Sequence, residues 1–115
     1  MAASVKTILY HVDDTAKAKP LYVALLGIEP YVEDEYYVGF EVDGQQIGLV
    51  NRSVANGKTG VQAHVHVDDI EATHRALLDA GAEEVDPIAE VGGGLRVSVL
   101  RDPDGNIIGL SQEPA

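Results

Sequence analysis

The stretch His11-Val12-Asp13-Asp14 recurs 55 positions later as His66-Val67-Asp68-Asp69, and this repetition decides the fold. Each copy leads into a leucine-rich stretch that ends at glycine, LYVALLG at 21–27 and RALLDAG at 75–81. Each half also closes on a predicted strand that begins at glycine, GQQIGL at 44–49 and GNIIGL at 105–110. Three landmarks in the same order indicate an internal duplication, which restricts the fold more than any single element does.

Within each half, the hydrophobic pattern predicts a strand, a helix and three further strands. Asp14 and Asp69 are the expected N-caps of the two helices, because an aspartate side chain can accept from the first free backbone N–H groups. We expect an N-terminal module at about 5–51, a polar link at about 52–60 and a C-terminal module at about 61–112. The sequence therefore predicts a single α+β domain over residues 1–115, built from two βαβββ modules with eight strands.

Composition and charge exclude several classes of function. The net charge of −11 repels nucleic acid and anionic lipid surfaces, and no apolar run approaches the roughly 20 residues of a membrane span. The chain has no cysteine, so disulfides and thiolate metal sites are excluded. We expect a cytoplasmic protein whose partner is a small molecule, with neither nucleic acid nor membrane as a partner.

Strand residues alternate between two faces of a sheet, and here the two faces differ in composition. One face is almost wholly apolar and is expected to lie under the helices; in the strand near 95–101 it takes Leu95, Val97 and Val99. The other, which we call the distal face, mixes polar side chains, glycines and scattered apolar residues, as a surface that orients a small organic molecule requires. Its candidate ligand-binding residues are Thr7, Leu9, Tyr37, Gly39, Gln46, Gly48, Gln62, Arg96, Ser98 and Gly109.

Gly48 and Gly109 occupy matched positions on the distal face, in the last strand of each half. A glycine inside a strand often marks the close approach of a ligand or of another backbone. We expect these two glycines to leave space for a ligand. A half-exposed antiparallel sheet without any ligand gives the same alternation, so the alternation alone does not show whether this face binds a ligand.

Nearly the whole chain resembles the vicinal oxygen chelate superfamily, which includes glyoxalase, bleomycin-resistance and extradiol-dioxygenase-like domains. The likeness rests on Val12-Asp13-Asp14 through Leu26-Gly27, on Val67-Asp68-Asp69-Ile70 through Ala80-Gly81-Ala82, and most specifically on Asp102-Pro103-Asp104-Gly105-Asn106. The resemblance implies a curved, eight-stranded mixed sheet, an incomplete barrel with helices on its outer face that encloses a cup. It also implies a homodimer.

Enzymes of this superfamily such as glyoxalase I chelate a divalent metal through side chains on the first and last strands of each module. Carried over residue by residue, those places fall on Thr7, Gly48, Gln62 and Gly109. Two glycines offer no side chain, and threonine and glutamine are weak neutral donors, whereas a divalent site needs about three to four strong ligands. The glyoxalase I reaction is therefore not inherited. Metal-free members of the superfamily include antibiotic-sequestering proteins.

Two functions from different classes stay open. The preferred one is a metal-free binding protein, without cofactor, that holds an aromatic or polycyclic ligand in the cup. The alternative is a lyase, isomerase or dioxygenase-like enzyme that uses His64 or Glu41 as a general base, or a divalent metal such as zinc at the His64-x-His66 pair. His74 is expected to pack where the second helix meets the sheet.

Overall fold

The computed structural model describes residues 4–55 and 57–114, so Asn56 in the predicted link lies outside the described residues. The N-terminal half contains β1 Ser4–Val12, α1 Thr15–Leu26, β2 Val32–Glu33, β3 Tyr37–Val42 and β4 Gln45–Asn51, followed by a short 3₁₀ turn, Arg52–Val54. The C-terminal half contains β5 Val61–His66, α2 Ile70–Asp79, β6 Glu83–Glu90, β7 Arg96–Arg101 and β8 Ile107–Gln112. The α+β class and the doubled βαβββ order are confirmed.

The chain divides into two compact units, one spanning Lys6–Gln62 and the other made of the chain from Ala63 onward together with Ser4 and Val5 at the start of β1. Both contain four strands in the same arrangement. In the first unit, β4 pairs with β1 in parallel and with β3 antiparallel, and β2 adds to β3. In the second unit, β8 pairs with β5 in parallel and with β7 antiparallel, and β6 adds to β7. The shared topology is what the duplication predicts. No helix within the described ranges is long and apolar enough to cross a membrane.

Both helices are capped by the predicted aspartates. The Asp14 side chain accepts hydrogen bonds from the backbone N–H groups of Ala16 and Lys17, and the Asp69 side chain accepts from that of Ala72. These bonds satisfy donors that an α-helix leaves free in its first turn. The caps fix where each helix leaves its first strand, and so which helix face turns toward the sheet.

The core of the N-terminal unit lies between α1 and one face of its sheet. Val38, Phe40 and Leu49 are fully buried there, and α1 covers them with side chains that include Tyr22 and Leu26. The first half of the chain therefore has the face assignment that alternation predicts.

In the C-terminal unit the face assignment of β7 is wrong. Leu100, which is fully buried, packs with Ile70 and Leu110 under α2, whereas alternation assigned that side to Val97 and Val99. The register of β7 on β8 agrees with this inversion, because Leu100 lies opposite Ile108 on the helix-covered face. Val99 is only 5% exposed on the other side, so β7 is buried on both faces. In a strand buried on both faces, the alternation of polar and apolar residues does not identify the face under the helix; here the polar Ser98 lies on that face, hydrogen-bonded to His74.

Candidate functional site

The distal face of the N-terminal unit brings together the predicted site residues of β1, β3 and β4. Residues paired across neighbouring strands point to the same side of a sheet. Thr7, Gln46 and Glu41 form one row across the three strands. Leu9, Gly48 and Gly39 form the next row, and Tyr37 lies one row beyond them.

The ring of Tyr37 covers two glycines on this face. A Cβ atom built on Gly48 would lie 2.6 Å from Cε1 of Tyr37 and 2.8 Å from Cδ2 of Leu9. A Cβ atom built on Gly39 would lie 3.0 Å from Cε2 of the same ring. The ring therefore lies across both glycines, which pair with each other on adjacent strands. The expectation that Gly48 leaves space for a ligand is wrong, since the unit fills that space with its own side chains.

Tyr37 is held as a neutral phenol. Burial raises its pKa to about 12, and the neighbouring Tyr31 adds to the shift through its charge and through a hydrogen bond. Tyr31 is anchored by its backbone N–H, which donates to the carbonyl of Gly39 over 2.9 Å, while 58% of the residue is exposed. Tyr31 and Tyr37 thus form a linked phenol pair, one largely exposed and one largely covered. Tyr31 directly precedes β2, and the strand pattern did not single it out as a site residue.

In the C-terminal unit the distal face carries a second covered glycine. A Cβ atom on Gly109 would lie 2.8–2.9 Å from Cγ, Cδ2 and Cε1 of His64, so the imidazole lies face-on over the glycine. His64 is buried, and its Nδ1 is hydrogen-bonded to the hydroxyl of the buried Ser111 over 3.1 Å. Gln62, two residues before it, is also buried. The expectation of free space above Gly109 is therefore also wrong.

The positions to which the resemblance assigns a metal do not fit one. Thr7, Gly48, Gln62 and Gly109 lie on β1, β4, β5 and β8, the first and last strands of the two modules, as the resemblance implies. The two glycines lack a donor, and aromatic rings occupy the places where a ligand side chain would have to start. Threonine and glutamine alone are too few and too weak to hold a divalent ion.

The alternative zinc site at His64 and His66 also lacks enough suitable ligands. Nδ1 of His66 lies 3.5 Å from a carboxylate oxygen of Glu113, an electrostatic contact beyond ordinary hydrogen-bond length. Residues 4–55 and 57–114 contain no group of three or more His, Cys, Asp or Glu side chains arranged to hold a metal ion. A zinc site with only two protein ligands is incomplete.

Arg96 and Ser98 are not on the distal face, because the orientation of β7 is reversed. Arg96 lies on the helix side, where its Nη1 is 3.2 Å from Oε1 of Glu71 on α2. Ser98 is fully buried and hydrogen-bonded to His74 on the same helix. Both residues tie β7 to α2, so their predicted placement facing a ligand is wrong.

His74 packs between α2 and the sheet, which confirms its predicted position. Its Nε2 donates to the Glu84 carboxylate over 2.7 Å, and its Nδ1 is 2.9 Å from the hydroxyl of Ser98. Because a carboxylate only accepts, Nε2 carries a proton, and in the neutral ring Nδ1 accepts from Ser98. This serine–histidine–glutamate series resembles a hydrolase triad in order, but the serine is sealed inside the unit and cannot reach a substrate. We interpret it as a structural cross-link.

The remaining histidine, His11, also has a structural contact. It is buried, and its Nδ1 donates to the carbonyl oxygen of Gly60 over 2.9 Å. The same carbonyl accepts from the backbone N–H of His11. The contact fastens the end of β1 to the segment that precedes β5.

Comparison with known proteins agrees with this fold. The family model described as the glyoxalase/bleomycin resistance protein/dioxygenase superfamily matches residues 4–110. No curated protein matches the chain significantly.

Solved structures that are similar to the chain share its fold at low sequence identity. A superfamily member from Vibrio splendidus 12B01 is 19% identical with a TM-score of 0.72, covering 97% of this chain and all of that one. Methylmalonyl-CoA epimerase from Mycobacterium tuberculosis is 21% identical with a TM-score of 0.69, covering 100% and 93% of the two chains. The Mn(II)-bound glyoxalase from Novosphingobium aromaticivorans is 18% identical with a TM-score of 0.75, covering 99% of this chain and 41% of that one. The doubled βαβββ topology and the match over residues 4–110 together establish that this chain belongs to the glyoxalase/bleomycin resistance protein/dioxygenase superfamily.

Proposed function

We propose that this chain is a metal-independent small-molecule-binding protein of the superfamily, and that its ligand contacts the distal face of the N-terminal unit. One observation carries the proposal: the Tyr37 ring lies against both Gly39 and Gly48 and is hydrogen-bonded to the exposed Tyr31. A strand pair with two facing glycines is weakened unless something packs on it. Here that packing presents an aromatic ring on a surface that also carries polar side chains.

The composition of this face favours an aromatic or polycyclic ligand. Tyr37, Tyr31 and Leu9 supply an apolar, partly aromatic wall, while Thr7, Gln46 and Glu41 supply polar groups in the row beside it. An apolar wall with a few placed polar groups is the usual composition of a small-molecule site. Since burial raises the pKa of Tyr37 to about 12, its hydroxyl keeps its proton at physiological pH and remains a hydrogen-bond donor.

The catalytic alternative receives less support from the contacts of its two proposed bases. His64 is buried, stacked on Gly109 and hydrogen-bonded to Ser111, so it is committed to the packing of its own unit. Glu41 is exposed and lies opposite Gln46 on the neighbouring strand. A general base must lie within hydrogen-bond reach of the proton that it abstracts and does best with a pKa near the working pH. The epimerase and the glyoxalase are less than 25% identical to this chain, so their similarity shows a shared fold and no shared activity.

The proposal is tested by a ligand-observed NMR screen of aromatic and polycyclic fragments in buffer containing EDTA. We expect aromatic hits whose affinity falls at least about tenfold in Tyr37→Leu, because the stacking surface is lost. Tyr36→Leu is the matched control, since Tyr36 is the adjacent tyrosine and is itself exposed; it should retain the hits. Tyr37→Phe keeps the ring and should lose only the part of the affinity that the hydroxyl contributes.

Three outcomes contradict the proposal. The first is the absence of any aromatic hit, and the second is a set of hits that Tyr37→Leu leaves unchanged while its melting curve shows a folded protein. The third is conversion of a fragment into a new compound that stops in Glu41→Gln or His64→Gln. That result replaces the binding function with the enzymatic one.

A further inference from the structure

Two tyrosine rings converge over Gly39 on the distal face of the N-terminal unit. A Cβ atom built on Gly39 would lie 3.0 Å from Cε2 of Tyr37 and 3.3 Å from Cε1 of Tyr31. Tyr31 is 58% exposed, so a ligand can reach this pair of rings from solvent. The face of a tyrosine ring is electron-rich, and it attracts a cation as well as another aromatic ring. The ring pair therefore has a chemical preference for positive charge.

A carboxylate lies in the next row of the same face. Glu41 follows Gly39 by two positions on β3, so the two residues point to the same side of the sheet and their Cα atoms lie about 7 Å apart. The Glu41 side chain is exposed and makes no hydrogen bond or ion pair with any described residue. Glu33 on the neighbouring β2, by contrast, is paired with Lys19. The negative charge beside the ring pair is thus uncompensated within the described part of the chain.

The rest of this face offers nothing to an anion. No lysine or arginine is found among the described strand residues on the distal face of the N-terminal unit; Lys6 precedes Thr7 on β1 and so points to the opposite side. Lys19 and Arg52 are held in ion pairs by carboxylates of the same unit. A ligand carboxylate would meet Glu41 with no counter-charge, and the net charge of −11 adds to the repulsion. Charge complementarity therefore favours a cationic ligand.

We propose that the ligand of this face is a small aromatic cation, whose planar ring packs against Tyr31 and Tyr37 and whose protonated amine lies at Glu41. This inference rests on the proposed function, to which it adds the charge of the ligand. The two rings lie over the row that contains Gly39, and Glu41 belongs to the next row. An amine that stands about two or three bonds from the ligand's ring therefore reaches the carboxylate. The ring faces and the carboxylate then stabilise the same positive charge.

Three probes that share an indole ring and differ in charge test the proposal. At neutral pH tryptamine is a cation, tryptophol is neutral and indole-3-propionate is an anion. The full chain is titrated with each probe in buffer containing EDTA at physiological ionic strength, which screens the field of remote charges. Tryptamine should bind about tenfold more tightly than tryptophol, because the ion pair and the cation–π contact each add a modest gain. Indole-3-propionate should bind most weakly.

Glu41→Gln separates the contribution of this carboxylate from that of the whole chain. It removes the charge and keeps the size of the side chain, so the affinity for tryptamine should fall about threefold or more while that for tryptophol stays unchanged. Glu90→Gln is the matched control, since Glu90 is likewise an exposed strand glutamate whose side chain has no partner among the described residues. This control should keep the full preference for tryptamine. Both variants should melt at the wild-type temperature, because neither side chain is part of the core.

The contradicting outcomes separate this inference from the function on which it rests. Equal binding of the three probes that is lost in Tyr37→Leu overturns the preference for a cation and leaves the proposed function standing. A preference for tryptamine that Glu41→Gln does not reduce, or that Glu90→Gln reduces equally, overturns the role of Glu41 and assigns the preference to the net charge. If none of the probes binds, both proposals are overturned.

Discussion

Replacing Gly109 by leucine is expected to lower the free energy of unfolding by about 3 kcal/mol or more, because the new side chain has no room. Its Cβ atom alone would lie 2.8 Å from two ring atoms of His64, and that ring is buried and fixed by Ser111. Gly48→Leu should cost less. The atoms that it meets are the far end of the partly buried Tyr37 and a methyl group of Leu9, both of which can shift. Chemical denaturation of the two variants measures the difference.

A double-mutant cycle identifies the cause of the Gly109 effect. If the His64 ring fills the space, His64→Ala should recover a substantial part of the stability that Gly109→Leu removes, because the two residues then no longer compete. A Gly109→Leu variant as stable as wild type would show instead that the space above this glycine is open, as the strand pattern alone suggested.

Truncation of Leu100 to alanine is expected to destabilise the protein by about 2–5 kcal/mol, since a fully buried leucine is removed and a cavity remains. The physical reason is the orientation of β7, which places Leu100 with Ile70 and Leu110 under α2. Val97→Ala is the control on the same strand. Val97 is only partly buried on the opposite face, and its truncation removes fewer contacts.

Thermal and urea unfolding of the two β7 variants discriminate between the two orientations. A small effect of Leu100→Ala together with a large effect of Val97→Ala would return β7 to the orientation that alternation indicates. It would also place Arg96 and Ser98 back on the distal face.

The N-terminal face could be predicted from sequence because its strands alternate visibly. In β3, Val38, Phe40 and Val42 are apolar, while Tyr37 and Glu41 on the other parity are polar or amphipathic, and the structure places the two sets on opposite faces. The repeated aspartate caps fixed the helices in the same way. Local chemistry was sufficient at these positions.

In β7 and at the glycines, local chemistry was not sufficient. Val99 is buried on one side of β7 and Leu100 on the other, so the hydrophobic pattern does not indicate which side faces the helix. A glycine shows only that a side chain is missing. Whether a ligand or a ring such as Tyr37 or His64 fills the space depends on contacts between strands. The predicted roles of the distal-face residues stay predictions, to be decided by the binding screen.

Isothermal titration of EDTA-treated protein with zinc and with manganese tests the central claim, recognition without a metal, most directly. The account predicts no stoichiometric binding of either ion, and the same result for His64→Ala, because Thr7, Gly48, Gln62 and Gly109 lack the required donors and His64 and His66 lack a third ligand. Binding of one equivalent of metal that disappears in His64→Ala or His66→Ala would contradict the account and support the metal-dependent enzyme in its place.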